Sequence, residues 1–370
     1  MILIDFGHLS SRILHTAVGQ AKPTKNKETK KLNTDEWIAM YFHMLLKNIA
    51  YIKGKFENEY GDIVICVDNK DNWRKRVYPE YKGNRASKRA ESDIDYESFY
   101  KYQDELIDEL RANFPFKVLK VDRCEADDVI GVLAKRFSAV QKTVVISSDK
   151  DFKQVLEFGS LLYDPMTKVF VNMNQLELKE WKTEHILLGD AVDNIPNIKQ
   201  QTEFTDEFRK FITSKGIHKD IKVNEFLKLS ISKPLMEEFD EYEIIKSGKL
   251  KGQKSEIKKI FKRINFGEKD RYNFAKDLTE NLKSNIMYQE NYDRNKTLVL
   301  FECIPEDIQE DIVNSYKESE YHFDPAGIMS FLGKYHLLDL LKSVSDFYTN
   351  QTSLTESRKQ ANNSLSDWDN

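Results

Sequence analysis

Cysteine is scarce in this sequence: 370 residues include three, Cys66, Cys124 and Cys303, and none belongs to a C-x-x-C pair. Thiols so few and so far apart fit a reducing compartment and argue against a disulfide framework or a zinc site. No run of about 18 apolar residues is present, and residues 1–5 lack the charged and long apolar regions of a signal peptide. We therefore expect a cytoplasmic protein with no membrane partner.

An excess of charge of one sign is also absent. The sequence has 57 Lys and Arg residues against 61 Asp and Glu residues, a formal net charge of −4. Net charge therefore neither favours nor excludes a nucleic-acid partner, and the distribution of charge along the chain has to decide. Hydrophobic residues make up 40% of the chain, enough for the core of one large domain or two ordinary ones.

Short apolar, β-branched runs alternate with helical periodicity in the first half of the chain. The predicted strands cover residues 2–5, 62–68 and 116–121 and the run that starts at Val144 and ends in Asp149 and Asp151, with a hairpin at 161–171. One predicted helix begins at Thr34, its expected N-cap, and three others cover 95–114, 126–137 and 174–188. Gly7 is interpreted as allowing a tight turn after the first strand. This alternation predicts an α/β fold with a central, mostly parallel sheet flanked by helices.

Carboxylates recur at the ends of these strands and at the loop–helix junctions beside them. They are Asp5, Asp68, Glu125, Asp127, Asp128, Asp149, Asp151, Asp190 and Asp193. Parallel strands end at one edge of a sheet, so these side chains should converge. Converged carboxylates repel one another unless a cation neutralises them, and Mg²⁺ prefers oxygen ligands. Each acid taken singly is as readily a helix cap or turn residue, Asp128 above all, but their recurrence as a set favours a metal site.

Residues 70–89 have a different character. Eight Lys and Arg residues stand there against Asp71 and Glu80, interleaved with Trp73, Tyr78 and Tyr81. Basic side chains offset phosphate charge and aromatic faces stack on bases, so this mixture is typical of a loop that binds single-stranded nucleic acid. An ordinary solvated loop is the alternative interpretation.

Beyond Asn197 the sequence turns charged and helical, without a clear strand. Residues 246–263 carry eight basic side chains against Glu256, which we interpret as the cationic face of a helical region. From Thr349 the polar tail has too little apolar content to fold, and Trp368 among acidic neighbours there is a weak candidate for docking on a partner. We expect a catalytic domain at 1–190 with a basic arch near 70–98, a helical region at 191–348 with a lysine-rich insertion at 199–263, and a disordered tail at 349–370.

Six segments, in this order, resemble the flap endonuclease/5'-3' exonuclease family. They are Ile-Asp5-Phe, Val-Asp68-Asn, the basic loop from Trp73 to Arg85, Glu125-Ala-Asp-Asp128, Ser-Ser-Asp149-Lys-Asp151-Phe, and Gly189-Asp-Ala-Val-Asp193-Asn-Ile-Pro196. The resemblance covers residues 1–198 well and 265–347 weakly, and residues 291–311 and 327–347 are similar to a phage member. It implies a 5' nuclease fold with a PIN-like sheet, a helical arch over the site and a helical C-terminal region that grips duplex DNA.

The resemblance also implies roles for individual residues. Asp5, Asp68, Glu125, Asp127 and Asp149 match the ligands of a first Mg²⁺ ion, and Asp151, Asp190 and Asp193 match those of a second, with Mn²⁺ as a substitute; Asp128 is kept in the metal set. Lys82 and Arg85 match residues that contact the scissile phosphate, and with Asp149 and Asp151 they form the expected catalytic set. The expected nucleic-acid-binding residues are Trp73, Arg74, Arg76, Tyr81, Lys82, Arg85, Lys88, Arg89 and Lys269.

The implied function is hydrolysis at the 5' ends and flaps of RNA–DNA and DNA–DNA duplexes, such as primer removal during phage DNA replication. The expected protein is a monomer in the host-cell cytoplasm whose partners are DNA, RNA–DNA hybrids, and a single-stranded-DNA-binding protein or sliding clamp. One departure from the family is the stretch 197–263, where a glycine-rich, lysine-containing hairpin is usual. The displaced counterpart expected at residues 266–269 includes Lys269, and binding of a monovalent cation stays open.

Three other functions fit the residues less well. An aspartyl-phosphate phosphohydrolase needs an acid two residues after its nucleophile, whereas Asp5 is followed by Phe6 and Gly7. A non-catalytic nucleic-acid-binding scaffold would not need the complete acid set. A toxin-like RNA-cleaving domain would not need the basic arch or the long C-terminal region.

Overall fold

The computed structural model describes residues 1–200, 236–241, 258–263 and 286–348. Its main sheet has the strand order β3-β2-β1-β4-β5-β6. The strands are β1 (Ile2–Asp5), β2 (Ile63–Cys66), β3 (Lys117–Leu119), β4 (Val144–Ile146), β5 (Leu161–Asp164) and β6 (Val169–Val171). All neighbours pair in parallel except β5 and β6, which form the expected antiparallel hairpin. The predicted mostly parallel α/β sheet is therefore confirmed.

Three helices of the described residues, at 96–113, 126–137 and 175–188, match predicted ones closely, whereas the helix at 6–21 was not predicted. The helices are α1 (Phe6–Ala21), α2 (Ile38–Tyr60), α3 (Arg74–Val77), α4 (Asn84–Glu91), α5 (Tyr96–Asn113), α6 (Ala126–Phe137), α7 (Gln175–Leu188), α8 (Ile286–Val299), α9 (Glu306–Glu318), α10 (Pro325–Lys334) and α11 (Leu338–Lys342). Short 3-10 helices cover Thr34–Glu36, Lys150–Phe158, Phe301–Cys303 and Val344–Phe347. No helix among these residues is long and apolar enough to cross a bilayer.

Alternation along the buried strands builds two apolar layers, one on each face of the sheet. Ile2 and Ile4 of β1 point into the layer that α1, α2 and α5 cover, whereas Leu3 points into the layer that α6 and α9 cover. Both faces are buried, so these strands are apolar at every position rather than at alternate ones. The first polar positions come where the strands end, and this fixes the place of the acids.

Two local predictions in this region are wrong. Thr34 was expected to cap α2, but it lies buried in a 3-10 turn and α2 begins four residues later, at Ile38. Gly7 was expected in a tight turn, but it lies in the first turn of α1, because Asp5 caps that helix directly after the strand by accepting a hydrogen bond from the His8 N–H. Glycine is required at position 7 because the Asp68 carboxylate lies close to it.

The chain divides into two compact units, Met1–Leu178 with Thr297–Asn370, and Lys179–Lys296. The second unit contains an antiparallel pair, β7 (Met236–Glu241) and β8 (Lys258–Arg263), which corrects the expectation that no strand follows Asn197 and that a helical face includes residues 258–263. The register aligns Glu237 with Lys262 and Asp240 with Lys259. The rest of the insertion, Lys269 and the tail lie outside the described residues.

Two glycines in different helices provide a test of the packing between α6 and the 3-10 helix Phe301–Cys303. A Cβ atom at Gly131 would lie 2.9 Å from the Phe301 ring, whereas nothing lies within 4 Å of one at Gly54 in α2. We expect Gly131→Ala to lower the free energy of unfolding by about 1–3 kcal/mol through overpacking. Gly54→Ala should raise it by about 0.5–1 kcal/mol through helix propensity. Urea unfolding of both variants checks this, and a stabilised Gly131→Ala protein would contradict the described packing.

Candidate metal and nucleic-acid site

Three acids at the carboxyl ends of adjacent strands form the centre of the site. Asp5 is the last residue of β1, while Asp68 and Asp149 follow β2 and β4. Asp5 is buried and accepts hydrogen bonds from the His8 N–H at 3.0 Å and the Ser147 hydroxyl at 2.9 Å. The predicted convergence of these side chains at one sheet edge follows from the strand order, in which β1 lies between β2 and β4.

Gly7 marks the point where Asp5 and Asp68 approach each other. A Cβ atom at this position would lie 2.8 Å from Asp68 Oδ2 and 3.7 Å from Asp5 Oδ1. The other carboxylate oxygen of Asp68 accepts a hydrogen bond from the Ala126 N–H at 2.9 Å, at the start of α6. The absence of a side chain at Gly7 therefore leaves the space that the Asp68 carboxylate occupies.

Ser147 links two of the acids and was missing from the predicted site. Its hydroxyl donates to Asp5 and accepts from the Asp149 N–H at 3.0 Å. Asp149 in turn accepts from the Asp151 N–H at 3.0 Å and caps the 3-10 helix that follows. The signal for Ser147 was present in the sequence, since the residue stands between a buried strand and two acids.

The electrostatics of this edge show a shortage of positive charge. The pKa of Asp5 is raised to about 7, chiefly by burial and also by the nearby carboxylates of Asp68 and Asp149, while the hydrogen bonds from the His8 N–H and Ser147 oppose the rise. The pKa of Asp127 is also well above its usual range, chiefly because of burial, with Asp5, Asp149 and Glu125 adding to it and Lys82 opposing it. A set of oxygen donors that repel one another in this way fits a hard divalent cation such as Mg²⁺.

Glu125 differs from the other acids because cations of the arch surround it. Lys82 Nζ lies 2.6 Å from one carboxylate oxygen, and the Tyr81 hydroxyl donates to the other at 2.9 Å. Arg74 approaches that second oxygen at 3.5 Å. Burial on its own would raise the pKa of Glu125, but Lys82 and Arg74 outweigh it and lower the pKa to about 2. This carboxylate is therefore ionised and already neutralised by the protein.

Asp128, which the prediction places in the metal set, lies outside the open part of the site. Its side chain is fully buried, and Arg74 lies 2.8 Å from Oδ1. Oδ2 accepts from the Glu125 N–H at 2.9 Å and completes a capping box at the start of α6. This geometry favours capping and charge pairing for Asp128, the alternative that the sequence had left open.

The arch also departs from expectation at three of its residues. Trp73, Arg74 and Tyr81 are 4%, 2% and 3% exposed, so none of them presents a surface to a base or a phosphate in this conformation. Their burial has a physical cause: the Arg74 guanidinium stacks on Trp73 at 4.6 Å and pairs with acids of α6, while Tyr81 bonds to Glu125. Arg76 and Lys88 are exposed, as the prediction requires.

A cavity of about 450 Å³ is lined by acids of the site and by residues of the arch. Asp68 and Glu125 are among its lining residues. Its basic lining residues are Lys70, Lys75, Lys82, Arg85, Arg89 and Lys120. Lys82, Arg85 and Arg89 belong to the predicted set, whereas Lys70, Lys75 and Lys120 do not. Lys70 and Lys75 belong to the basic loop that the sequence analysis singled out, but Lys120 lies after β3 and carried no sequence signal.

The remaining two predicted acids, Asp190 and Asp193, lie in the second unit. Asp190 is buried and exchanges two backbone hydrogen bonds with Ile195, at 2.9 and 2.7 Å, while its side chain accepts from the Val192 N–H at 2.8 Å. Asp193 is half-buried in the same turn. Gly189 has φ +67°, and a Cβ there would lie 2.3 Å from the Ile195 carbonyl oxygen, so this turn requires glycine.

Comparison with known proteins agrees with this geometry. Residues 1–183 match the family model for the 5'-3' exonuclease, N-terminal resolvase-like domain. These residues are therefore similar to the 5'-3' exonuclease family, which confirms the resemblance drawn from the motifs.

Two relatives and one solved structure are similar to this chain. Ribonuclease H of Enterobacteria phage T4 is 28% identical over 351 residues, covering 93% of this chain and 95% of the relative. The 5'-3' exonuclease of Buchnera aphidicola subsp. Schizaphis graminum is 27% identical over 187 residues, covering 48% of this chain and 62% of the relative. The T5 D15 protein co-crystallised with metal ions aligns over 86% of this chain and 99% of its own, at 15% identity and a TM-score of 0.48. The first match confirms the expected similarity to a phage member.

The close approach at Gly7 gives a direct test of the site. We expect Gly7→Ala to displace the Asp68 carboxylate and weaken Mn²⁺ binding by about 10-fold, the lower end of what misplaced metal-site groups cost. Gly19→Ala in the same helix is the matched control, because nothing lies within 4 Å of its added Cβ. Titration with Mn²⁺ followed by electron paramagnetic resonance measures the affinity, and thermal unfolding checks the fold. Equal affinities in the two variants would remove Asp68 from the site.

Proposed function

We propose that this protein is a divalent-metal-dependent, structure-specific 5' nuclease that hydrolyses phosphodiester bonds at the 5' ends and flaps of DNA–DNA and RNA–DNA duplexes. The observation that carries the proposal is one cavity whose lining includes both Asp68 and Glu125 and basic residues of the arch. A phosphodiester is an anion that needs both a cationic cradle and a metal site. The match of residues 1–183 to the 5'-3' exonuclease family supports the same activity.

The residues that would hold a divalent ion are Asp5, Asp68, Asp127 and Asp149, with Glu125 at the boundary with the arch. When bound, such an ion lowers the pKa of the attacking water and neutralises charge on the transferring phosphoryl group. We propose that this ion is Mg²⁺. We also propose that a second ion binds, as the family resemblance implies.

Several side chains of the protein act on the substrate or on the acids directly. Lys82 and Arg85 face the cavity beside the acids, where they would bind the scissile phosphate. Lys82 is paired with Glu125 in this structure. When substrate and metal bind, Lys82 would bind the phosphate and Glu125 would bind the metal ion. Ser147 fixes the orientation of Asp5 and of the Asp149 backbone. The exposed Lys88 and Arg76 would contact backbone phosphates farther from the reacting bond.

The phosphohydrolase alternative is disfavoured by the local structure of α1. Its chemistry needs an acid two residues after the nucleophile, and that position is Gly7, where no side chain fits beside Asp68. Removal of RNA primers, binding to a sliding clamp or a single-stranded-DNA-binding protein, cytoplasmic location and the monomeric state belong to the same proposal and rest on the family resemblance.

The role of Asp149 is tested by separating cleavage from binding. Asp149→Asn keeps the size of the side chain and its capping oxygen but removes a charge that a metal ion needs. We expect it to abolish cleavage of a labelled 5' flap in Mg²⁺ while leaving the affinity for that flap, measured by fluorescence anisotropy, nearly unchanged. Parent-like cleavage by the variant would exclude Asp149 from the site.

Lys82 is tested by a substitution that keeps its apolar stem. We expect Lys82→Met to slow single-turnover cleavage by about 100-fold, as loss of one donor to a developing charge does, with little change in affinity for the duplex. Lys101→Met is the control, because Lys101 is an exposed lysine on α5 paired with Glu97. The proposed role fails if both variants cleave at the parent rate, or if Lys82→Met loses affinity for the duplex as much as rate.

A further inference from the structure

Arg74 is the most completely enclosed cation next to the site. Its side chain is 3% exposed, and it begins the short helix α3 at the base of the arch. NH1 lies 2.8 Å from Asp128 Oδ1 and 3.5 Å from Glu125 Oε2, and Nε donates to the Leu298 carbonyl oxygen at 2.9 Å. One guanidinium therefore connects the arch, the start of α6 and a segment more than 200 residues later in the chain.

The geometry of these contacts suits a guanidinium and no other side chain. The planar fork presents donors in fixed directions, so that NH1 and Nε serve different partners at the same time. The Cζ atom of the guanidinium lies over the Trp73 ring, 4.6 Å from the ring centroid. A lysine has one compact charge and no flat face, so it could keep the charge but not the simultaneous contacts with Asp128, Leu298 and Trp73.

The contacts of Arg74 act on Glu125 by two routes. The first is the direct approach to Oε2, the same oxygen that accepts from the Tyr81 hydroxyl. The second runs through Asp128, which Arg74 holds in the position where it accepts from the Glu125 N–H. Backbone and side chain of Glu125 are thus both fixed by one buried cation, although Arg74 is not itself among the residues that line the cavity.

We propose that Arg74 is a positioning residue for the metal site, which holds the Glu125 carboxylate and the base of the arch in the arrangement that divalent-metal binding needs. This inference rests on the proposed function, because it takes Glu125 as a metal ligand. It replaces the expected role of Arg74 in binding nucleic acid, and it predicts that substitutions of Arg74 act on metal affinity before they act on affinity for DNA.

The test measures Mn²⁺ affinity by electron paramagnetic resonance in two variants. Arg74→Lys keeps a buried positive charge, and Arg74→Met/Asp128→Asn removes the charge pair while keeping an oxygen that caps α6. Removing both charges avoids the unpaired buried carboxylate that Arg74→Met alone would leave. We expect each folded variant to bind Mn²⁺ about 10- to 100-fold more weakly than the parent, the range found when the partners of metal ligands are lost. Thermal unfolding identifies the folded variants.

Two comparisons separate a positioning role from a structural one. Arg111→Lys, at a partly exposed arginine of α5 that pairs with Asp108, should leave Mn²⁺ affinity unchanged, and flap affinity measured without metal should stay at the parent level in the Arg74 variants. Parent-like Mn²⁺ affinity in either folded Arg74 variant would overturn the inference, as would flap affinity that falls as much as metal affinity. A parent protein that binds no Mn²⁺ would instead contradict the proposed function, so the two failures are distinguishable.

Discussion

Repulsion among carboxylates gathered at one sheet edge is the constraint on which the rest of this structure depends. Asp5, Asp68 and Asp149 are brought together by the order of β2, β1 and β4. Asp5 is buried, and its pKa is raised first by that burial and then by the two neighbouring carboxylates. The protein offsets part of this unfavourable charge with hydrogen bonds from the His8 and Ala126 N–H groups and from Ser147. In the proposed function a divalent cation would offset the remainder, which would make the edge a metal site rather than a set of helix caps.

The arch supplies the opposite charge, and it does so unevenly. Arg74, Tyr81 and Lys82 are committed to the acids at the start of α6, where they make Glu125 strongly ionised. Arg85 and Arg89 line the cavity, as Lys82 also does. The basic loop therefore contains residues that pair with the acids and residues that line the cavity, and its composition does not separate the two.

Much of the fold could be predicted from the sequence because strands that are buried on both faces of the sheet appear as continuous apolar runs. Apolar runs located β1, β2 and β4, and the acids that follow them located the site. The errors come where tertiary contacts decide. Nothing local distinguishes Arg74 from Arg76, yet one is enclosed by Asp128 and Trp73 and the other is exposed. Ser147 and Lys120 reach the site because of the sheet order, and the β7–β8 pair lacks the apolar alternation that identifies strands.

Cleavage of defined substrates tests the central claim most directly. Purified protein would be given end-labelled 5'-flap, nicked-duplex and RNA–DNA hybrid substrates in Mg²⁺, in Mn²⁺ and in a chelator. The account predicts short products that carry 5'-phosphates with either metal and none with the chelator. Substrates left intact in both metals by a folded protein would contradict it.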